Sequence, residues 1–236
     1  MCYNKKEGEV VMKNISIRDF ETDRLLLKRP TIEEQFTLWN ILKDEKVNRY
    51  YFPTPDRIFI KHNLKKNNIN DLKKARKIFL EQLNDWDRQK PFYEKKIESI
   101  NNEENSQKFT WSIFLKNGEP IGQITVQPCD EYPNNPEIRD VGWYINPIHH
   151  GNGYATEAAN EILKFMFSEV EIEKIITSAA IINPASWKIM ERLGFEKYDE
   201  KQTTYYDEED NILNSYCYYC NKNLFLNRNK TKKKIK

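Results

Sequence analysis

A chain of 236 residues is long enough to bury a proper core, and no low-complexity linker splits it into two self-sufficient halves. Its 38 basic residues nearly balance its 36 acidic ones, for a net charge of +2, which argues against nucleic-acid binding as its main business. No apolar run approaches the roughly 18 residues of a membrane span. The start, Met1-Cys2-Tyr3-Asn4-Lys5-Lys6, lacks a signal peptide's apolar stretch, so no membrane partner and a cytoplasmic location are expected.

In chain order, residues 1–20 are polar and mixed and read as a loosely held arm, with a single domain over 21–226 and a basic tail over 227–236. Arg24 to Arg29 reads as a first strand. Thr31 as N-cap with Glu34 three residues on is a capping box, and Ile32, Phe36, Trp39 and Leu42 give that helix a buried stripe. Residues 43–108 form an enlarged helical and loop region. Within it, Leu72, Ala75, Phe79, Leu83 and Trp86 predict a one-sided helix from Asp71 to about Arg88. The lysines and arginines around it read as a solvated face. Glu94 to Lys108 is Asn/Glu-rich and reads as an exposed loop.

Phe109–Lys116 and Glu119–Gln127 are two strands joined at Asn117-Gly118, a strong hairpin signal. Pro128 to Arg139 is a rigid acidic loop. The apolar run Val141-Gly142-Trp143-Tyr144-Ile145 then reads as a central strand, and Lys174 to Ile181 as another. Asn183 caps the next helix, Pro184 opens it and Gly194 stops it. Phe195–Tyr206 and Ile212–Lys222 form a last hairpin. Cys217-Tyr218-Tyr219-Cys220 has the spacing of a metal pair, but residues three apart on a strand point to opposite faces, so reduced, packed thiols and no metal are expected.

One stretch is organised for chemistry. After the central strand comes Asn146-Pro147-Ile148-His149-His150-Gly151-Asn152-Gly153-Tyr154-Ala155-Thr156-Glu157, running into a helix with Ala158, Ala159, Ile162 and Leu163 on one face. Strand, glycine turn and helix N-terminus together make an anion cradle: glycines let the backbone turn its amides toward one point, and the helix dipole favours negative charge there. A Gly-x-Gly turn alone proves little, because many strand-to-helix turns need glycine for geometry. A nucleotide-phosphate site of the P-loop kind is weak, since no Gly-Lys-Ser/Thr follows.

With the turn His150-Gly151-Asn152-Gly153-Tyr154-Ala155, the pair Asn183…Ser186, the closing Leu193-Gly194-Phe195, the opening Thr22-Asp23-Arg24-Leu25 and the hairpin Gly118…Gly122, the sequence resembles the GCN5-related N-acetyltransferases (GNAT), most closely the Rim-type branch that acetylates ribosomal-protein N-termini. The resemblance implies an α/β acyl-CoA N-acyltransferase fold, with a mixed, mostly antiparallel central sheet flanked by helices. It also implies acetyl-CoA as co-substrate and a primary amine as acceptor, a protein N-terminus or a small cationic amine. Gly151, Asn152, Gly153, Tyr154, Ala155 and Thr156 would hold the diphosphate through backbone amides, with His150 standing where the family usually has Arg or Gln. A backbone amide near Tyr144–Ile145 would receive the charge growing on the carbonyl oxygen. Ser186 would steady the departing sulfur, because the family's frequent tyrosine on that helix is replaced here by Met190. Asn183 would cap its helix and reach the pantetheine. Asp140 and Glu137 are the candidates to take the amine's proton, directly or through water. The acidic residues Asp130, Glu131 and Glu137, and Asp207 to Asp210, would attract a cationic acceptor. Two alternatives stand beside this reading: a polyamine or aminoglycoside-type acetyltransferase, and a non-catalytic CoA-binding module.

Overall fold

The computed structural model describes residues 4–6, 9–11, 17–50, 62–65, 68–101, 108–206 and 212–231. A short ribbon pairs β1 (Asn4–Lys6) with β2 (Glu9–Val11). The body is one sheet made of β3 (Phe20–Glu21), β4 (Leu25–Lys28), β5 (Phe109–Leu115), β6 (Pro120–Pro128), β7 (Ile138–Ile145), β8 (Lys174–Ala180), β9 (Glu196–Tyr206) and β10 (Ile212–Asn221). These eight strands lie in the order β3-β4-β5-β6-β7-β8-β10-β9, and only the β7–β8 neighbours are parallel. That is the mixed, mostly antiparallel α/β sheet that the motifs imply.

Alternation along the strands gives the sheet two unlike faces. Trp111, Ile113, Ile124, Val126, Val141 and Ile175 bury one face against α5 (Tyr154–Ser168), whose Ala158, Ala159, Ile162, Leu163 and Met166 are all inaccessible. The small alanines let the helix sit close to the central strands. The other face is polar although buried: Thr110 and Thr125 share a hydroxyl–hydroxyl bond of 3.1 Å, and the Ser112 hydroxyl donates to Glu34 at 2.7 Å. Glu34 belongs to α1 (Ile32–Lys43), where the predicted capping box forms: its carboxylate accepts from the Thr31 amide at 2.8 Å. The buried carboxylate therefore has donors on two sides, as burial of a charge requires.

This polar contact turns α1 away from the expected stripe. Glu34, Gln35, Leu38, Trp39, Ile41 and Leu42 are buried, whereas Phe36 is half exposed and meets Trp86 edge-on. Next come α2 (Glu45–Asn48), α3 (Ile69–Gln82) and α4 (Trp86–Asn101). The helix predicted over 71–88 is thus two helices with a break at 83–85, and residues 94–101 are helical where a loop is expected. Ile97 and Ile100 inside that polar stretch continue at helical spacing from Tyr93, and the Asn101 amide ties its end to the Pro30 carbonyl at 3.0 Å. Trp39, Ala75, Phe79 and Leu83, with Trp86 and Tyr93, build a small satellite core there.

Both ends of the domain are held more firmly than their composition suggests. Ile17 and Phe20 pack into the main core, and the Trp111 indole donates to the Arg18 carbonyl at 2.9 Å. Arg228 to Thr231 continue α7 (Lys222–Thr231), whose Phe225 is buried and whose Arg228 donates to Asn160 at 2.6 Å. Between them, α6 (Pro184–Arg192) starts and stops as its sequence predicts, with Gly194 at φ +89°. Cys129, Cys217 and Cys220 are buried and in no disulfide among the described residues. No helix among the described residues is long and apolar enough to cross a membrane.

The closeness of this packing can be measured at two places. A β-carbon on Gly122 would sit 2.2 Å from the Tyr144 carbonyl oxygen and 2.9 Å from the Ile145 side chain, so Gly122→Ala must push β6 and β7 apart. Thermal unfolding of that variant is expected to show a loss of about 1–3 kcal/mol; an unchanged melting temperature would contradict this close approach. Burial pushes the Cys220 thiol up to about 12 and raises that of Cys129 as well. Native alkylation of Cys220 at pH 8 should therefore be at least about 100-fold slower than in denatured protein, with Cys129 slowed in the same sense, read by mass spectrometry.

Candidate active site

The site begins where β7 and β8 part. Their register runs Ile138↔Lys174 and Arg139↔Ile175 and then stops, while β8 stays paired to β10 through Ala180. The hydroxyl of Thr177 donates to the Val141 carbonyl at 2.9 Å and seals the crotch of the fork. Beyond it lies a cavity of about 700 Å³, lined by Trp143, Tyr144 and Ile145 on one arm and by Ser178, Ala179 and Ala180 on the other.

Strand alternation decides which peptide groups this edge offers. Asn146 donates to the Ile121 carbonyl at 2.7 Å, so even-numbered residues at this end of β7 bond toward β6. Odd-numbered residues bond toward β8: the Glu137 carbonyl accepts from Glu173 at 2.9 Å, and Val141 accepts from Thr177. Past the fork, the amides of Trp143 and Ile145 therefore face the open cleft. The Ile145 carbonyl is already taken, since it accepts from His150 Nε2 at 2.8 Å, which places the proton of that ring on Nε2.

The turn that follows lies against the same cavity, which Gly151, Gly153, Tyr154, Ala155 and Thr156 help to line. Gly151 and Gly153 have φ of +81° and +80°, the left-handed region where a β-carbon is strained. Space beside Gly151 is open, with no atom within 4 Å of the point a β-carbon would occupy. The first amide of α5 to find a helical partner is that of Glu157, bonded to the Gly153 carbonyl at 3.0 Å. Among the described residues, none of the amides from Gly151 to Thr156 donates to a protein acceptor. Six donors at the positive end of a 15-residue helix, with glycine giving them room, suit a diphosphate group and fit the donor set that a CoA ester requires.

Around this frame, Ser186 and Asn183 line the cavity from α6. The Asn183 side chain accepts from the Ser186 amide at 3.3 Å, so it caps the helix while facing the cleft. Ala185, Ile189 and Arg192 continue along that helix face, and Met190 is turned away into the core. His149 also lines the cavity, with its ring at 3.0 Å from Glu119. The far wall comes from α2 and the residues after it: Glu45, Lys46, Val47, Arg49 and Tyr50, with Arg49 paired to Glu45 at 3.0 Å. Val47 and Tyr144 share one buried cluster with Leu38, Ile41 and Leu42, which fixes this wall against β7.

The structure thus gathers Tyr144, Ile145, His150, Gly151, Gly153, Tyr154, Ala155, Thr156, Asn183 and Ser186 around one cleft; Asn152 lies in the turn with its carbonyl directed outward. It does not bring Asp140 or Glu137 there. Asp140 sits on β7 below the fork, where Gln127 donates to it at 3.3 Å; burial raises its carboxyl above the usual range, only partly offset by Thr177 and Gln127. Glu137 lies at the far end of that strand, beside the start of β8. Asp130 and Glu131 are exposed before it and are not part of the lining, and Asp207 to Asp210 fall outside the described residues. Sequence reasoning gave no role to the α2 wall, which has no motif. It also gave no role to Thr22 and Arg24, which bond to Glu157 and to the turn itself; Thr22-Asp23-Arg24 carries part of the family resemblance but nothing that foretells these contacts.

The comparisons agree with this geometry. A family model described as an acetyltransferase (GNAT) domain matches residues 24–196. The N-acetyltransferase YnaD of Bacillus subtilis is 33% identical over 75 residues, covering 29% of this chain and 44% of YnaD. The chain spans about half the length of the curated relatives it matches in this way. Two solved structures share the fold: the Vibrio cholerae spermidine N-acetyltransferase in complex with CoA and spermine, at TM-score 0.62 and 16% identity over 87% of this chain and 100% of that one; and Mycobacterium smegmatis RimJ in complex with CoA-disulfide, at 0.58 and 13% over 84% and 82%. With a family model spanning most of its length, a sheet forked at its one parallel pair and a glycine turn at the mouth of the fork, the chain belongs to the GNAT acetyltransferase family.

Proposed function

We propose that the protein is an acetyl-CoA-dependent N-acetyltransferase whose acceptor is the α-amine of a polypeptide N-terminus. The observation that carries the transferase reading is the fork between β7 and β8, with unclaimed amides both on its open edge and in the turn at its mouth. Acetyl-CoA supplies an activated acetyl thioester when bound. The amides of Gly151 to Thr156 hold the diphosphate, and Arg192 adds positive charge along the cleft. On the open edge, Trp143 and Ile145 offer N–H donors at the position where charge grows on the carbonyl oxygen, held by the strand before any reaction begins. Ser186 lines the cleft from α6, and its hydroxyl is the group that donates to the departing sulfur.

The charge of the far wall supports a peptide over a polyamine. On that wall Lys46 and Arg49 line the cavity, and Glu45, the cavity's one lining carboxylate among the described residues, is paired with Arg49, which leaves Lys46 as the excess charge. Such a wall repels a polycation, whereas a peptide N-terminus carries a single amine on a neutral backbone. Its amine also asks less of a base: an α-amine with pKa of about 7.7–8.0 is partly neutral at physiological pH, unlike an alkyl amine near 10.4. Asp140 or Glu137, standing outside the cavity lining, would reach that proton only through water.

Three measurements test this reading. In an acceptor panel followed by CoA release, peptides with free N-termini should exceed spermidine in kcat/KM; a preference for spermidine would refute the peptide assignment. The rate with the preferred peptide should climb with pH and level off above about pH 8 as the α-amine loses its proton, while a climb continuing toward pH 10 would point to an alkyl amine. Ser186→Ala should lower kcat by about 5- to 10-fold, the worth of one hydrogen bond, with KM for acetyl-CoA unchanged. Loss in KM alone would reassign Ser186 to binding.

A further inference from the structure

Arg24 lies 128 residues before Asn152 in sequence, yet its guanidinium grips the glycine turn and the first turn of α5 together. Nη1 donates to the Asn152 carbonyl at 2.9 Å, and Nε donates to Glu157 Oε2 at 2.7 Å. Nη2 stands 2.6 Å from the same carboxylate, and the guanidinium lies over the Tyr154 ring at 4.8 Å. The Arg24 amide and the Thr22 hydroxyl hold the other oxygen of Glu157 at 3.0 and 2.6 Å. The base of this fork is rigid, because Leu25 and Leu27 follow at once on β4 and are fully buried.

Two consequences bear on anion binding. A trans peptide points its C=O and N–H in opposite directions, so drawing the Asn152 carbonyl onto Arg24 turns the Gly153 amide to the other side. The Asn152 side chain acts in the same sense, donating to the His149 and His150 carbonyls at 3.1 and 3.3 Å. The second consequence concerns charge. Glu157 is an acid in the first turn of α5, beside the place where a diphosphate would lie. Burial alone would raise its carboxyl, but the bonds from Thr22 and Arg24 outweigh this and hold it below the usual range, so it stays ionised. Left alone it would repel the ligand; Arg24 neutralises it through the paired contacts to its carboxylate.

We propose that Arg24 is a positioning residue for the diphosphate cradle: through the Asn152 carbonyl and Glu157 it sets the direction and the local charge of the turn, and so governs affinity for ligands that carry a diphosphate and not for those that lack one. This rests on the assignment of the Gly151–Thr156 turn to a diphosphate. Calorimetry with the full chain tests it, with CoA, dephospho-CoA and pantetheine as ligands, against Arg24→Ala and Arg24→Lys. Arg24→Ala should weaken CoA and dephospho-CoA by one common factor of about tenfold or more and leave pantetheine unchanged. With acetyl-CoA and a peptide acceptor, its KM for the donor should rise by that factor while kcat at saturation holds. Arg24→Lys keeps the charge beside Glu157 but has no fork to reach the Asn152 carbonyl as well, so it should lose part of that affinity; it carries the test if the alanine variant fails to fold. Equal weakening of all three ligands, or unchanged CoA affinity in a folded variant, would overturn the proposal. Wild-type protein that binds CoA no more tightly than pantetheine would instead overturn the cradle assignment itself.

Discussion

The hydrogen bonds that β7 and β8 do not make are what the rest of the molecule is arranged around. Two parallel strands that part after two paired residues leave peptide groups exposed inside a sheet, where an unpaired donor costs about as much as a lost hydrogen bond. The fold limits that cost residue by residue. Thr177 satisfies the Val141 carbonyl at the fork, and His150 reaches back to the Ile145 carbonyl at its mouth. The donors left over, at Trp143 and Ile145, face the cavity. With free amide donors along it and two of its carbonyls already bonded, the edge suits a ligand that brings a carbonyl oxygen.

The neighbouring elements keep the fork from closing. β8 is held away by its full-length pairing with β10, and β7 by its pairing with β6, where Gly122 allows the Tyr144 carbonyl to come close. The apolar face of the sheet is clamped by α5, so the helix whose N-terminus faces the mouth of the fork also forms the core beneath it. Packing and function therefore share a helix, and the amides at its start inherit the rigidity of its buried alanines. On the opposite face the strands carry hydroxyls and a buried carboxylate, and α1 covers them through Glu34 and Ser112.

Much of this was legible in the sequence because local chemistry decided it. The strand–glycine turn–helix run, the capping box at Thr31, the Asn183-Pro184 start and the Gly194 stop each depend on a few adjacent residues. What was not legible depends on contacts between distant residues. Phe36 reads as core by spacing, yet Glu34 and Gln35 are buried in its place because a polar sheet face awaits them. The stretch after Glu94 reads as loop by composition, yet Ile97 and Ile100, spaced on from Tyr93, make its start the end of a helix. At the site, the turn could be read but its brace could not: nothing local to Arg24 announces a bond to Asn152. Asp140 was chosen for being an acid near the central strand, and strand position alone does not say that the cavity begins above it.

The central claim is that the free amides of the turn and of the open strand edge meet one and the same ligand. An amide-resolved NMR titration of the full chain with CoA tests this most directly. The account predicts that the signals of Gly151, Gly153, Tyr154 and Ala155 shift together with those of Trp143 and Ile145 along one binding curve, while amides remote from the fork, such as those of Glu131 and Tyr132, stay in place. Shifts confined to other surfaces, or turn and strand signals that follow separate curves, would contradict it.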